Sequence, residues 1–385
     1  MSQQPNLHIG VIGMGVRSGL ADIIHKPAQG VTVVHACDIN PDRQADAKKR
    51  FGNDVRYSTS VDAMLADDRI DAVMVLSPDW LHAEHAVASM KAGKGVFLEK
   101  PMATTIADCD RILATAERTK AKLYVGHNMR HMAFVRKMKE LVDAGRIGKI
   151  QTAWERHFIN YGGDAYFRDW HADRRYSTGL LLQKAAHDLD VMHWICGGYT
   201  QRVHAMGRLS VYNQSPHRTE KPPGFVASWS HEHWPAARLK DLNPIIDVED
   251  LSMLHAELDN GILMAYQQCH YAPDELRNYT FIGDEGRIES VKNAQGEWVI
   301  RLWNKRHEKS LPDGDEQHLI PSVEGGHGGA DPVMLGEFVR YLRNQAEPTC
   351  PPLAARMSVA AGCLATESIR NRGVPMDVPP VGRHG

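Results

Sequence analysis

Two short stretches carry residue types that move protons. In GVFLEKPMAT, Gly95 to Thr104, an apolar run ends and Glu99, Lys100 and Pro101 follow at once. In LLLQKAAHDLD, Leu180 to Asp190, the leucines mark a helix with a buried side, and Gln183 and Lys184 stand four and three places before His187. Residues so spaced share a helical face. An ammonium at a strand end can hydrogen-bond a hydroxyl that becomes a carbonyl, and a cation bound nearby depresses its pKa toward proton transfer. An imidazole, with an ordinary pKa of about 6.5, suits a general base. The plainer alternatives are a solvated turn at Lys100 and a core histidine bonded to backbone at His187. Asp188 and Asp190 read as structural.

A third stretch concerns anions. VIGMGVRSG sets Gly13, Gly15 and Gly19 directly after the apolar run LHIGVI. A tight turn needs the first glycine, and close approach of backbone to a pyrophosphate needs the second. The third comes one place later than the usual spacing. Asp38 closes the next run, VTVVHAC, where an acid that binds ribose belongs. Its carboxylate accepts from ribose hydroxyls and repels a 2′-phosphate, which favours NAD over NADP, although Arg17 and Arg43 lie close enough in sequence to meet a phosphate. The expected cofactor set is therefore Gly13, Gly15, Val16, Arg17, Asp38 and Arg43. Ser77, Pro78 and His82 join it after the run DAVMVL, with Glu99, Lys100 and Asn128 from later strand ends.

The elements that must position these residues change character along the chain. Up to Asn128, apolar runs alternate with helical patterns, as in a parallel βαβ sheet. From KIQTAWERHFI onward, strand-like runs crowd together, with hairpin turns at DNG (259–261) and DEG (284–286). The fold class is α/β: a Rossmann dinucleotide-binding domain, then an α+β domain with a large open mixed sheet. The expected boundaries are 1–128, 129–350 and a C-terminal helix and tail, 351–385, packing back on the first domain. Residues 305–330, polar and Gly-rich, are expected to form a loop or lid.

Composition excludes several classes. The 385 residues carry a formal net charge of −2 and no basic stripe, so neither nucleic acid nor membrane is an expected partner. The N-terminus has no signal-peptide pattern, and no run is long enough to span a bilayer. Six dispersed cysteines read as reduced thiols of a cytoplasmic protein. No metal is expected: there is no HExxH, and the His231 and His233 of HEH have no evident third ligand.

The order of the glycine turn, LSPDWLHAEHA, LEKP and GLLLQKAAHDLDVMHW is similar to that of the Gfo/Idh/MocA family (glucose–fructose oxidoreductase and inositol dehydrogenase) over nearly the whole chain. The resemblance implies the same two domains, a substrate pocket between them, and homodimers or homotetramers. It implies that Lys100 and His187 form the acid/base network, with Lys184 beside them. The family's helix carries an Asp four places before its catalytic His. That place is Gln183 here, which cannot accept a proton and suits a substrate hydroxyl. Asn128 and Arg130, in GHNMR, resemble positions near the pocket, and Trp170 resembles a tryptophan near the nicotinamide or substrate. Trp170 is as readily a packing residue. His327, in the polar loop, is a further substrate candidate.

The leading expectation is an NAD-dependent oxidoreductase moving hydride at a secondary hydroxyl of a sugar, glycoside or cyclitol. The alternative is an NAD-dependent glycosidase that oxidises C3 transiently, eliminates the aglycone and re-reduces. Its extra acid/base would come from the His, Arg and Trp residues of 156–175 and 229–238, which could also hold an acidic or sulfonated sugar. A non-catalytic NAD(H) sensor is a third reading, disfavoured by the retained Lys100 and His187.

Overall fold

The computed structural model describes residues 5–222, 225 and 233–382, and the chain divides into two compact units. The run FVASWSHEH, Phe225 to His233, lies almost wholly outside the described residues, as does the pairing of His231 with His233.

The first unit comprises Met1–Asn128, Gly325–Arg356 and Val381–Gly385. Six parallel strands form its sheet: β1 (Leu7–Ile12), β2 (Val31–Cys37), β3 (Arg56–Ser58), β4 (Ala72–Val75), β5 (Gly95–Leu98) and β6 (Leu123–Val125). Their order is β3-β2-β1-β4-β5-β6, so the winding reverses between β1 and β4. Ligands of such sheets bind at that reversal, beyond the carboxyl ends of the strands. β4 is buried at every position, which is why its sequence is continuously apolar rather than alternating. Three-residue β3, RYS, has no fully buried position and so leaves no apolar run in the sequence. Helix Ala330–Leu342 sends Met334, Leu335 and Phe338 into the same core as Ile9, Val11 and Phe97. Phe97 stacks on Tyr124 at 5.8 Å, and the Tyr124 hydroxyl donates to Glu337 at 2.7 Å, so the buried phenol is satisfied.

The second unit comprises Met129–Glu324 and Met357–Pro380. Its strands are β7 (Ile150–Phe158), β8 (Thr200–Arg208), β9 (Leu251–Leu258), β10 (Leu263–Cys269), β11 (Leu276–Gly283), β12 (Arg287–Lys292), β13 (Trp298–Trp303), β14 (Glu316–Leu319) and β15 (Met376–Asp377). The sheet is mixed, because β7 pairs with β10 in parallel and with β11 antiparallel. Gly261, at φ +84°, turns β9 into β10. Along β7, Ala153, Glu155 and His157 face inward while Arg156 stays exposed, the period of two a strand imposes.

Three expectations need correction. The tail does not return to the first unit as a whole: helix Pro352–Arg370 crosses the division at Arg356, and only the last residues rejoin. Conversely, Gly325–Arg356, expected in the second domain, belongs with the first because Phe338 and its neighbours fill that core. The polar stretch 305–330 is not all loop, since Glu316–Leu319 pairs with β13 as an edge strand.

Candidate functional site

In the first unit, the turn after β1 fits a dinucleotide. Gly13 has φ +94°, and a Cβ there would lie 2.6 Å from the Leu76 carbonyl oxygen. At Gly15 a Cβ would meet no atom within 4 Å, which leaves room for a pyrophosphate against the backbone. Asp38 Oδ2 accepts the Met14 N–H at 2.7 Å and Oδ1 accepts the Asn40 N–H at 2.9 Å, so the carboxylate is aimed while keeping lone pairs for ribose hydroxyls. Val16 and Ile39, 72% and 77% exposed, supply apolar surface beside it for a planar base. Arg43 opens helix Arg43–Phe51, partly buried.

Glu99 ties this turn to Lys100. Buried to 3% exposure, it accepts from Arg17 Nε at 2.7 Å and from the Lys100 backbone N–H at 2.6 Å. Burial alone would raise its carboxyl, but Arg17 and Lys100 outweigh that and hold it below the ordinary range. The Lys100–Pro101 peptide is cis. Arg17 also donates to Asp331 Oδ2 at 3.3 Å, so its guanidinium bridges two carboxylates. Asp331 accepts in turn from Asn128 Nδ2 at 2.8 Å and lies 2.9 Å from His327 Nδ1. His327 is thus part of the first unit's acid cluster, where the sequence placed it among substrate ligands. Ser77 and Pro78 end β4. The Ser77 hydroxyl meets His85 Nδ1 at 2.9 Å. His82, buried, faces the Pro101 and Ser77 carbonyl oxygens at 2.7 and 2.9 Å, bracing the two loops through its ring.

In the second unit, the expected single helix is two. Leu180–Gln183 ends in one turn and Ala186–Cys196 begins after Lys184 and Ala185. Gln183 and His187 are both buried, and Gln183 Oε1 has no hydrogen-bond partner among the described residues. Lys184 Nζ lies 3.4 Å from the Tyr161 hydroxyl and 5.7 Å from the ring centres of Tyr161 and Tyr166. Burial, then repulsion by Arg277, pushes its amine down to about 8 despite Asp188. Tyr166 in turn meets His171 edge-on at 5.5 Å, and Trp170 stacks on His171 at 3.7 Å. Arg130, expected at the substrate, is buried and forks onto Asp190 at 2.7 and 2.8 Å, bracing helix Ala186–Cys196.

Beneath this constellation lies a buried network that sequence reasoning missed. Asp188 accepts from Arg277 Nε at 2.8 Å, from Tyr279 and, at 3.3 Å, from Tyr266, with His157 Nδ1 at 3.1 Å. Its carboxyl, which burial would raise, is held far below the ordinary range by Arg277 and His157. Burial drives His157 down to about 3. The only hint in the sequence was the inward pair Glu155 and His157 in AWERHF, and alternation alone does not say which face of a strand is buried. Ligand atoms of Glu155, His157 and Asp188 lie within 4.8 Å of one another. Asp188 is already saturated and Arg277 adds a cation, so the set suits a proton-bearing carboxyl better than a metal ion.

Residues 7–127 match the family described as "Oxidoreductase family, NAD-binding Rossmann fold", and residues 139–378 match its C-terminal alpha/beta domain. The chain is 28% identical over 344 residues to a Bacillus subtilis (strain 168) protein named as an oxidoreductase, YteT, covering 78% of this chain and 80% of that one. It is 36% identical over 194 residues to inositol 2-dehydrogenase 3 of Saccharopolyspora erythraea, spanning 49% of this chain and only 53% of that protein. A levoglucosan dehydrogenase solved with NADH and levoglucosan is similar in fold, with a TM-score of 0.78 at 19% identity over 97% of this chain and 100% of that one. Among the described residues, no helix is long and apolar enough to cross a membrane.

Proposed function

Since the chain belongs to the Gfo/Idh/MocA oxidoreductase family and its first domain is an NAD-binding Rossmann domain, we propose that it is a dehydrogenase of a secondary hydroxyl on a sugar, glycoside or cyclitol. The observation that carries this reading is Lys100, whose backbone N–H Glu99 holds at 2.6 Å just past the carboxyl end of β5. Gly13, Gly15, Asp38, Val16 and Ile39 would hold the cofactor, which when bound supplies the hydride acceptor or donor. Lys100 hydrogen-bonds the carbinol oxygen, and His187 takes or returns its proton, with Lys184 as a further amine of the acid/base set. Gln183 accepts a neighbouring hydroxyl on its unpartnered Oε1. Trp170 offers a plane to the apolar face of the ring.

A second reading, redox-neutral glycoside cleavage, is favoured by one feature: His171 Nδ1 lies 2.5 Å from Asp169 Oδ1, an additional acid/base pair in the segment where that chemistry needs one. Incubation with NAD⁺ and a panel of sugars, glycosides and inositols separates the readings. NADH growing in proportion to substrate is expected. Aglycone release without NADH would replace the first reading by the second, and binding without turnover would leave a sensor.

The exposed Met206, Met253 and Leu263 share one face of the large sheet and support pairing with a second copy as a homodimer or homotetramer, which light scattering tests. Six free cysteines support a reducing, cytoplasmic setting.

A further inference from the structure

We infer that Glu155 is a neutral carboxylic acid in the working protein, and that its neutrality withholds a counter-ion from Lys184, so that the lysine gives up its proton readily and serves the site as a base. The inference rests on the reading of Lys184 as a member of the acid/base set.

The geometry is one-sided. Glu155 is 0% exposed in the middle of β7, and neither of its carboxyl oxygens has a hydrogen-bond partner among the described residues. Asp188, equally buried, takes the available donors: Arg277 from β11 at 2.6 and 2.8 Å, Tyr279 from the same strand, and Tyr266 from β10. His157, on Glu155's own strand, gives its Nδ1 to Asp188 as well. A bare carboxylate in such a place costs far more than taking up a proton. Two carboxyls in one buried cluster are thereby separated, one ionised by its partners and the other left neutral, the division that assigns opposite roles to paired acids elsewhere.

The remaining charges then decide Lys184. Arg277 is neutralised by Asp188. His157 and His270, facing the cluster from β7 and β10, are kept neutral by burial. Asp188 and, from the periphery, Glu275 favour the charged form of Lys184, while Arg156 acts on Glu155, favouring its ionised form; burial and Arg277 outweigh the first pair at Lys184, and burial outweighs Arg156 at Glu155. Among the described residues, an ammonium at Lys184 makes no ion pair and rests against one hydroxyl and two aromatic faces. As the amine, Lys184 can share with His187 the task of accepting a carbinol O–H proton: the O–H bond breaks, an N–H bond forms and the resulting cation carries the proton, while the cofactor, when bound, would accept the hydride. Glu155 acts through Lys184 and is a positioning residue.

Infrared spectroscopy of the full chain at pH 7 tests the acid. A protonated-carboxyl C=O band is expected that shifts with carbon-13 glutamate labelling and vanishes in Glu155→Gln. Absence of a label-sensitive band, or its survival in Glu155→Gln, overturns the inference. If that variant does not fold, Glu155→Asp takes its place, in which the glutamate-label-sensitive band is expected to vanish and its survival overturns the inference. Competitive labelling of amines, read by mass spectrometry, tests Lys184 without any substrate. Its reactivity at pH 7 is expected within about twofold of wild type in Glu155→Gln, whereas a change of about tenfold, one pKa unit, shows that Glu155 was charged and overturns it. Stoichiometric metal in the purified protein, lost with Glu155→Gln, likewise overturns it. An absence of sugar turnover would defeat the proposed function and leave both of these readouts standing.

Discussion

Glu99 and Glu155 are both glutamates at the cores of their units, 3% and 0% exposed, and they carry opposite protonation states. Glu99 has a guanidinium on one oxygen and a backbone N–H on the other, and it is held ionised. Glu155 has neither, and burial raises it well above the ordinary range, with Asp188 adding to the effect. Depth is the same in both; the partners decide. In the first unit a buried charge ties a loop to a turn, while in the second one charge is satisfied fully and its neighbour is given up.

The largest perturbation of that comparison is Asp188→Ala. It strands Arg277 inside the second unit and is expected to cost about 3–5 kcal/mol, measured by urea unfolding. A loss below about 1 kcal/mol would mean that Asp188 is not the anchor of the network. Lys100→Met should leave the fold intact and reduce turnover by about 10²-fold or more, since a positioned acid–base group is worth that much. Activity near wild type would remove Lys100 from the mechanism.

Arg17→Ala is a smaller and sharper change. It converts Glu99 into a residue in Glu155's situation, so a second protonated-carboxyl band should appear and NAD should bind about tenfold more weakly, or about 1.4 kcal/mol, by calorimetry. If no new band appears, the backbone N–H alone suffices to keep Glu99 ionised.

Mild acid is the gentlest test. His157 and His193 are neutral in the fold, driven by burial to about 3 and about 4 from 6.5. The unfolded chain binds more protons in that window, so their contribution is complete above pH 6.5 and is lost as pH falls toward those values. Asp188, depressed, adds loss in the same direction below its ordinary 3.8. Tryptophan fluorescence should show urea midpoints declining steadily below pH 6.5; a plateau down to pH 4 would contradict the buried neutral imidazoles.

Much of the first unit was legible because its signals are contiguous. Gly13 and Gly15 follow their strand directly, Asp38 ends the next, and Lys100 leaves β5 within two residues. Short polar elements were not: β3 (RYS) and β14 (EQHL) carry no apolar run, whereas the equally short β4 and β5 are continuously apolar and stand out. Roles that depend on a distant partner also escaped. Arg130 pairs with Asp190, 60 positions away, and Arg17 with Glu99, 82 positions away, and neither pairing has a local marker. The division near Asn128 follows a change of texture, whereas the return of Gly325–Arg356 to the first unit has no local marker, being decided by which core Phe338 fills.

The amino-acid order by itself determined where strands alternate with helices, where backbone can approach a phosphate, and which side chains are able to carry a proton, because each is a property of neighbouring residues. Which of those side chains is charged was decided only in three dimensions. Asp188 meets Arg277 across 89 positions and leaves Glu155, in the strand between Tyr266 and Tyr279, with no hydrogen-bond donor among the described residues. The charge of a buried acid is set by the donors that reach it, and here those donors come from separate strands.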